Sequence, residues 1–394
     1  MPAVIRRATL ALSLLAACFV NCVSAQDLPQ AEPATEIPPL LKTGDAAYLK
    51  GDYEAAFPLF TRAWELARQT PKDDPLRYDI LKRLTSVRAA AGEFSDADGY
   101  LQQAITWREN ALGPKDPQKD PKIADDLLIS AGLWRGMKDF DRALLIFQRV
   151  RAMHVAAFTF NSTQVADDFS RIAQIYMDQK KPEDAINSLN AALGIRTQLA
   201  GPLDPSLVPD LDRLGELHTA VRDYEKSEDA FRHVLAIRET LYGKVHADLI
   251  STVDGLAYAV FGQKKYDVAE PIYLRLISLW ETSVGRDHPM VAVALDKVAV
   301  FYAEQKKLDQ MRDALVRSTA IRAHFLASGI SQQATAELVE GHVEQAKAFY
   351  QRGLMVLDPP HPINQELRAE FETMLKDFGK AGPNKKGTQP KKKL

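Results

Sequence analysis

The chain has 394 residues, 46% of them apolar and 26% charged, with a formal net charge of -2. That balance is ordinary for a soluble globular protein and is enough to bury one large core or several small ones. It excludes the basic excess that usually marks a nucleic-acid binder.

In chain order, the first segment is "MPAVIRRATLALSLLAACFVNCVSAQ", with Arg6 and Arg7, an apolar run from Ala8 to Val20, then small residues. A basic flank, a short apolar core and a small-residue cut are the layout of a secretory signal peptide over residues 1–25. The run is short for a bilayer span. Cleavage after Ala25 would leave Gln26 first. Leu15-Ala16-Ala17-Cys18 also resembles a lipobox, in which Cys18 would carry the lipid and begin the mature chain, although Phe19 fits that pattern poorly. Both routes predict export, periplasmic or secreted in the first case and membrane-anchored in the second. A cytosolic amphipathic N-terminus is the remaining alternative. The only cysteines are Cys18 and Cys22, so a chain cut after Ala25 has no disulfide, thiolate nucleophile or cysteine metal site.

Residues 26–39, including "DLPQAEPATEIPP", are Pro-rich and acidic and read as an extended linker. From residue 40 a repeat begins. A small residue recurs at Ala56, Ala97, Ala143, Ala185, Ser227, Ala269, Met311 and Ala346, in steps of 41, 46, 42, 42, 42, 42 and 35. Four residues after each stands a large one: Phe60, Leu101, Phe147, Leu189, Phe231, Tyr273, Leu315 and Tyr350. Each unit holds two amphipathic patterns, as in Leu211, Leu214, Gly215, His218 and then Tyr224, Ser227, Phe231, Val234, Ile237. Apolar positions at i, i+3, i+4 and i+7 predict helices, and one helix pair cannot bury both its stripes without stacking on the next.

Between pairs the chain is punctuated. "SVGRDHPMVA" (residues 283–292) looks like an Asp-His active-site fragment, yet Gly285 has counterparts at Gly113, Gly201 and Gly243. Three residues on stand Asp116, Asp204, His246 and His288, followed by Pro117, Pro205, Ala247 and Pro289. Glycine ends a helix, Asp caps the next and Pro opens it. His288 therefore takes a capping slot. Pro271 lies inside a second-helix pattern and must sit in a first turn or kink the helix. The third unit is longer and has "FTFNSTQ" at its end, an irregularity or an insertion.

The spacing of small and large residues, with Leu214-Gly215, Leu256-Ala257 and Val298-Ala299 ahead of the small slot and Tyr176 and Tyr302 at a tyrosine slot, resembles the tetratricopeptide repeat. The 42-residue period resembles the long units of kinesin light chains and their bacterial relatives, over about residues 39–362. The resemblance implies an all-α, right-handed superhelical solenoid of about eight antiparallel helix pairs spanning residues 40–362. Residues 363–379, with Ile363, Leu367, Phe371, Leu375 and Phe378 at helical spacing, would form the capping helix. The family's paired asparagines are replaced here by Ser170-Arg171, Asp212-Arg213, Asp254-Gly255 and Asp296-Lys297, so its ligand does not carry over.

The resemblance also implies that the first helices line a concave surface. On it Asp212, Asp254 and Asp296 recur every 42 residues, beside Arg171, Arg213 and Lys297, with Met177, Tyr258 and Phe261 on the same face. These nine residues are the candidate groove for a peptide or protein partner. Alternatively, acids and bases of neighbouring units pair with one another in solvent, worth about 0–1 kcal/mol each. No phosphate loop, His-x-x-x-His pair, serine elbow or calcium loop occurs, so neither a cofactor nor a catalytic residue is expected. His246 and His288 lie 42 residues apart, one per unit, too far to share a metal. The Lys-rich end, residues 380–394, predicts a disordered tail, solubilising or touching an anionic surface. The expected function is an exported, non-catalytic scaffold. The alternatives are a self-associating structural or assembly subunit of the cell envelope and an enzyme with an unrecognised site.

Overall fold

The computed structural model describes residues 33–112 and 120–380, and all regular structure among them is helical. The signal segment with Cys18 and Ala25, linker residues 26–32, Gly113, Asp116 and Pro117, and tail residues 381–394 lie outside the described residues. No helix of the described residues is long and apolar enough to cross a membrane.

The chain divides into two compact units, Met1–Phe160 and Asn161–Leu394. The first contains α1 (Pro33–Leu49), α2 (Tyr53–Ala67), α3 (Pro75–Ala90), α4 (Phe94–Ala111), α5 (Pro121–Gly136) and α6 (Phe140–Ala157). The second contains α7 (Thr163–Asp178), α8 (Pro182–Ala200), α9 (Val208–Ala220), α10 (Tyr224–Tyr242), α11 (Ile250–Gly262), α12 (Tyr266–Val284), α13 (Pro289–Glu304), α14 (Leu308–Val339), α15 (Val343–Val356) and α16 (Gln365–Lys380). Within each unit every helix packs on the next in the chain, so helix pairs stack in a helical-repeat solenoid.

The repeat skeleton places the core. The small slot is fully buried at Ala56, Ala97, Ala143, Ala185, Ser227, Ala269 and Ala346, with Phe60, Leu101, Phe147, Leu189, Phe231, Tyr273 and Tyr350 buried four residues on. Small residues let helices cross closely and the large one fills the space. Phe231 shows how tightly: a Cβ on Gly215 would come within 2.7 Å of its ring, and one on Gly255 within 2.5 Å.

Two kinds of turn repeat. Each first helix closes on a residue with positive φ: Gly51, Gly92, Lys138, Lys180, Arg222, Lys264, Lys306 and Gly341, each five residues before the small slot. The turn between pairs follows the predicted punctuation. Gly201, Gly243 and Gly285 adopt φ of 93°, 79° and 95°. Asp204 accepts from the Ser206 N–H at 2.9 Å, and the Nδ1 atoms of His246, His288 and His361 accept from the N–H two residues on at 3.2, 3.2 and 3.3 Å. His288 is thus a helix cap. In the third unit the cap is Asp120 with Pro121, four residues beyond Asp116-Pro117, and it accepts from the Lys122 N–H at 2.9 Å. α7 is capped by Ser162 of the "FTFNSTQ" stretch. Pro271 is the sixth residue of α12, past the first turn, and the helix continues through it to Val284.

Three expectations need correction. Residues 33–39, read as extended linker, are the opening turns of α1. Ile37 and Leu41 bury against the first core, and burial worth about 1.5–3 kcal/mol per large aliphatic side chain offsets the N–H groups that Pro38 and Pro39 lack. The last two helix pairs are not separate: α14 runs unbroken for 32 residues, about 48 Å, so the second helix of the seventh pair is also the first helix of the eighth. The shortened step of 35 residues has no room for a connector. Leu315, placed in the large buried slot, is therefore 42% exposed, because the next first helix continues away along the same axis and does not fold over it. α16 follows a short turn at Pro362–Asn364 and buries Phe371 against Tyr350 and Gly353, in the place expected of the capping helix.

Candidate functional site

The candidate groove residues sit on the first helices of the second unit, and the structure gives each charged one a partner within the chain. Arg171 lies 3.3 Å from Asp168 and Arg213 lies 3.6 Å from Asp210, each one turn back on its own helix. Asp212 receives a hydrogen bond of 2.7 Å from Arg238. Asp254 receives one of 2.6 Å from Lys297 of the following pair. Asp296 accepts from Arg322 at 3.2 Å and from the Ser318 hydroxyl at 2.5 Å. Of the apolar trio, Met177 is partly buried on the core around Ala173 and Leu189, and Phe261 is partly buried edge-on to Phe301 and Tyr273. Tyr258 is 49% exposed, its ring edge-on to Tyr224.

The arginines that hold Asp212 and Asp296 come from the second helices, with a third at the same spacing, and were missed from sequence. Arg196, Arg238 and Arg322 stand on α8, α10 and α14, separated by one and then two periods of 42 residues. Arg196 donates to Asp167 at 2.6 Å, to the Ser170 hydroxyl at 3.0 Å and to Asp210 of the next pair. Arg238 bridges Asp212 to the Ser251 and Thr252 hydroxyls of the next pair. Their signal was the same spacing that marked the acids, on the other helix of each pair. A second series follows the first helices: Asp126, Asp168 and Asp210 are all buried, and the positions 42 and 84 residues beyond are Thr252 and Ala294. In the first unit Asp126 is held by the Tyr78 hydroxyl at 2.8 Å and by Lys82.

Electrostatics divide these acids. Burial pushes the Asp210 carboxyl above the ordinary range against the pull of Arg196, and burial does the same to Asp212 against Arg238. The hydrogen bond from Arg322 holds Asp296 below it.

Between α11 and α13, floored by the end of α12, lies a groove of about 480 Å³. Asp248, Ser251 and Asp254 line one wall, Met290, Val293 and Lys297 the other, and Leu276, Trp280 and Ser283 the floor. A second groove, of about 370 Å³, lies on the second-helix side between α12 and α14, lined by Leu274, Glu281, Gln310 and Arg317 among others. Among the described residues, Glu337, Glu340 and His342 offer ligand atoms within 4.8 Å of one another at the α14–α15 turn. They lie at the surface, where His342 Nδ1 already meets Glu337 at 2.9 Å.

Stacked helix pairs with a charged and aromatic first-helix face define a helical-repeat protein. Residues 166–240 and 249–289 match family models of the tetratricopeptide repeat. These two segments are tetratricopeptide repeats, and such repeats serve as protein-interaction scaffolds. The chain's fold is similar to that of the C-terminal part of a TPR repeat-containing protein from Cytophaga hutchinsonii, at 14% identity, 71% of this chain, 95% of that chain and a TM-score of 0.52. It also resembles BtubC (BKLC) from P. vanneervenii, at 22% identity, 58% of this chain, 91% of that chain and a TM-score of 0.47. A putative kinesin light chain with nearly identical TPR-like repeats from Podosopora anserina aligns at 14% identity over 54% of this chain and 99% of that chain, with a TM-score of 0.45. No curated protein matches the chain.

Proposed function

We propose that the protein is an exported, non-catalytic scaffold that holds a peptide or protein segment along the first helices of its second unit. The observation that carries this is the groove between α11 and α13, continued about one helical turn beyond its Asp254 and Lys297 by Tyr258 and Val300, both about half exposed. Its ion pair of Asp254 and Lys297 is itself half exposed, and such pairs are worth about 0–1 kcal/mol, so they exchange readily for polar groups of a partner. Apolar pockets with a few convergent polar groups suit an extended segment.

A photo-crosslinking residue placed at Tyr258, and separately at Leu274 on the opposite side, tests this in the producing cell. Adducts with another protein at 258 and none at 274 are expected. Equal labelling at both sites, or none at 258, overturns the groove, and homodimer adducts at 274 favour a self-associating subunit instead. N-terminal sequencing of the same material tests export: a start at Gln26 is expected, a lipid-modified Cys18 gives the anchored form, and an intact Met1 overturns export.

A further inference from the structure

Trp280 breaks a ladder. Arg238 and Arg322 each lay a guanidinium on the acid 26 residues before them, Asp212 at 2.7 Å and Asp296 at 3.2 Å, and Arg196 meets Ser170 at that place at 3.0 Å with Asp167 beside it at 2.6 Å. At the equivalent position of α12, 42 residues from both Arg238 and Arg322, the chain has Trp280. The acid at the corresponding place is Asp254, and both line the groove of about 480 Å³. Asp254 is left with Lys297, at 2.6 Å, and both partners of that pair are exposed enough for water to screen it. The charged lining is Asp248 and Asp254 against Lys297, a net negative site.

Resting on the groove-binding function above, we propose that this groove takes an arginine side chain supplied by the partner. Its guanidinium stacks on the Trp280 indole and pairs with Asp254, in the place that the chain's own arginine fills in the neighbouring helix pairs. Leu276, Met290 and Val293 cover its methylene stem. Arginine fits better than lysine because its flat, weakly hydrated fork stacks on an aromatic face and meets a carboxylate through two N–H groups at once. Lys297 swings away when the arginine enters, so it is a competitor and not a contact.

The test is selection of a random 12-residue peptide library on the full chain, with recovered peptides resynthesised and measured by fluorescence polarisation. Recovered peptides should share an arginine, and its replacement by lysine or citrulline should weaken binding about tenfold or more. Trp280→Arg, which restores the residue that three sister helices carry, should lose affinity to the same extent while melting like the wild type. Asp254→Asn should do likewise if Trp280→Arg folds poorly. Lys297→Ala should tighten binding. Peptides that bind without arginine preference, or that bind Trp280→Arg as they bind the wild type, overturn the arginine site and leave the groove function standing. Recovery of no peptide at all overturns the groove function and the arginine site together.

Discussion

Helices α7–α10 and α11–α14 follow one 42-residue template and hold their neighbours by different chemistry. Between α8 and α9 the contact is ionic: Arg196 and Asp210 are both almost fully buried, and the Ser170 hydroxyl donates to the same carboxylate at 2.9 Å. One period on, the pair becomes Arg238 and the Thr252 hydroxyl. Two periods on, it is Trp280 and Ala294, and the core alongside fills with rings: Phe301 is fully buried with Tyr273, Phe261, Tyr266 and Tyr302 within 5.2–6.2 Å of its centroid. The exchange teaches what each device costs. A buried charge pair fixes the register of two helix pairs, yet its desolvation cancels much of its attraction. The ring cluster stabilises by area and needs no arginine, which is what frees Asp254 and opens the groove at Trp280.

The largest effect should come from breaking the ionic contact. Asp210→Ala leaves the buried Arg196 with Asp167 as its one remaining acid and should cost about 3 kcal/mol in urea denaturation. The converse places Asp at position 294, where Trp280 offers no cation, and Ala294→Asp should be destabilising by several kcal/mol. The double variant Ala294→Asp with Trp280→Arg should recover a good part of that loss. If the double variant is no more stable than Ala294→Asp alone, the two regions do not share one template for the contact between helix pairs.

A smaller difference separates the acids themselves. Asp210 and Asp212, raised by burial, should titrate above the ordinary carboxylate range, and Asp296, held down by Arg322, below it, as followed by carbon-13 carboxyl shifts. The linkage has opposite signs. As pH falls toward the unfolded carboxylate value near 3.8, the folded chain takes up protons at Asp210 and Asp212 first, so their contribution to stability improves. Asp296 contributes stability above that value and loses it as pH falls through its lower folded pKa. Titration of all three at one pH would remove the electrostatic half of the comparison.

Much of this was legible in the sequence because stacking forces a period. The Ala269 and Tyr273 slots, the Gly285 and His288 turn and the Phe371 stripe are each local patterns with one physical solution. What escaped depended on contacts between helices. The charge ladder of the first helices does not reveal that Arg196, Arg238 and Arg322 on the second helices, which keep the same spacing, reach across to it. Where Asp212 or Asp254 finds its partner depends on which neighbour reaches it, and that is Arg238 in one case and Lys297 in the other. The fusion at α14 had a signal, the step of 35 residues, but no local residue says whether a chain without a connector turns or runs straight on. Pro38 and Pro39 make residues 33–39 read as extended chain, and the burial of Ile37 in α1 overrides that signal.

The smallest effect concerns strain that both regions share. The turn closing each first helix needs a left-handed residue. The outer units place Gly51, Gly92 and Gly341 there, whereas the central ones place Lys138, Lys180, Arg222, Lys264 and Lys306, at φ between 57° and 62°. A side chain with a Cβ at such a φ costs about 1–2 kcal/mol, and glycine removes that cost while losing about 0.5–1 kcal/mol through the greater freedom of the unfolded chain. Lys180→Gly and Lys264→Gly should therefore each stabilise by about 0.5 kcal/mol, one in the ionic region and one in the aromatic region. In a chain of this size that is a rise in Tm of about 0.6 °C by calorimetry. Equal gains would mean that the turn belongs to the template and is indifferent to the chemistry packed behind it. A gain at Lys264 without one at Lys180 would mean that the aromatic core sets the turn and the ionic contact does not.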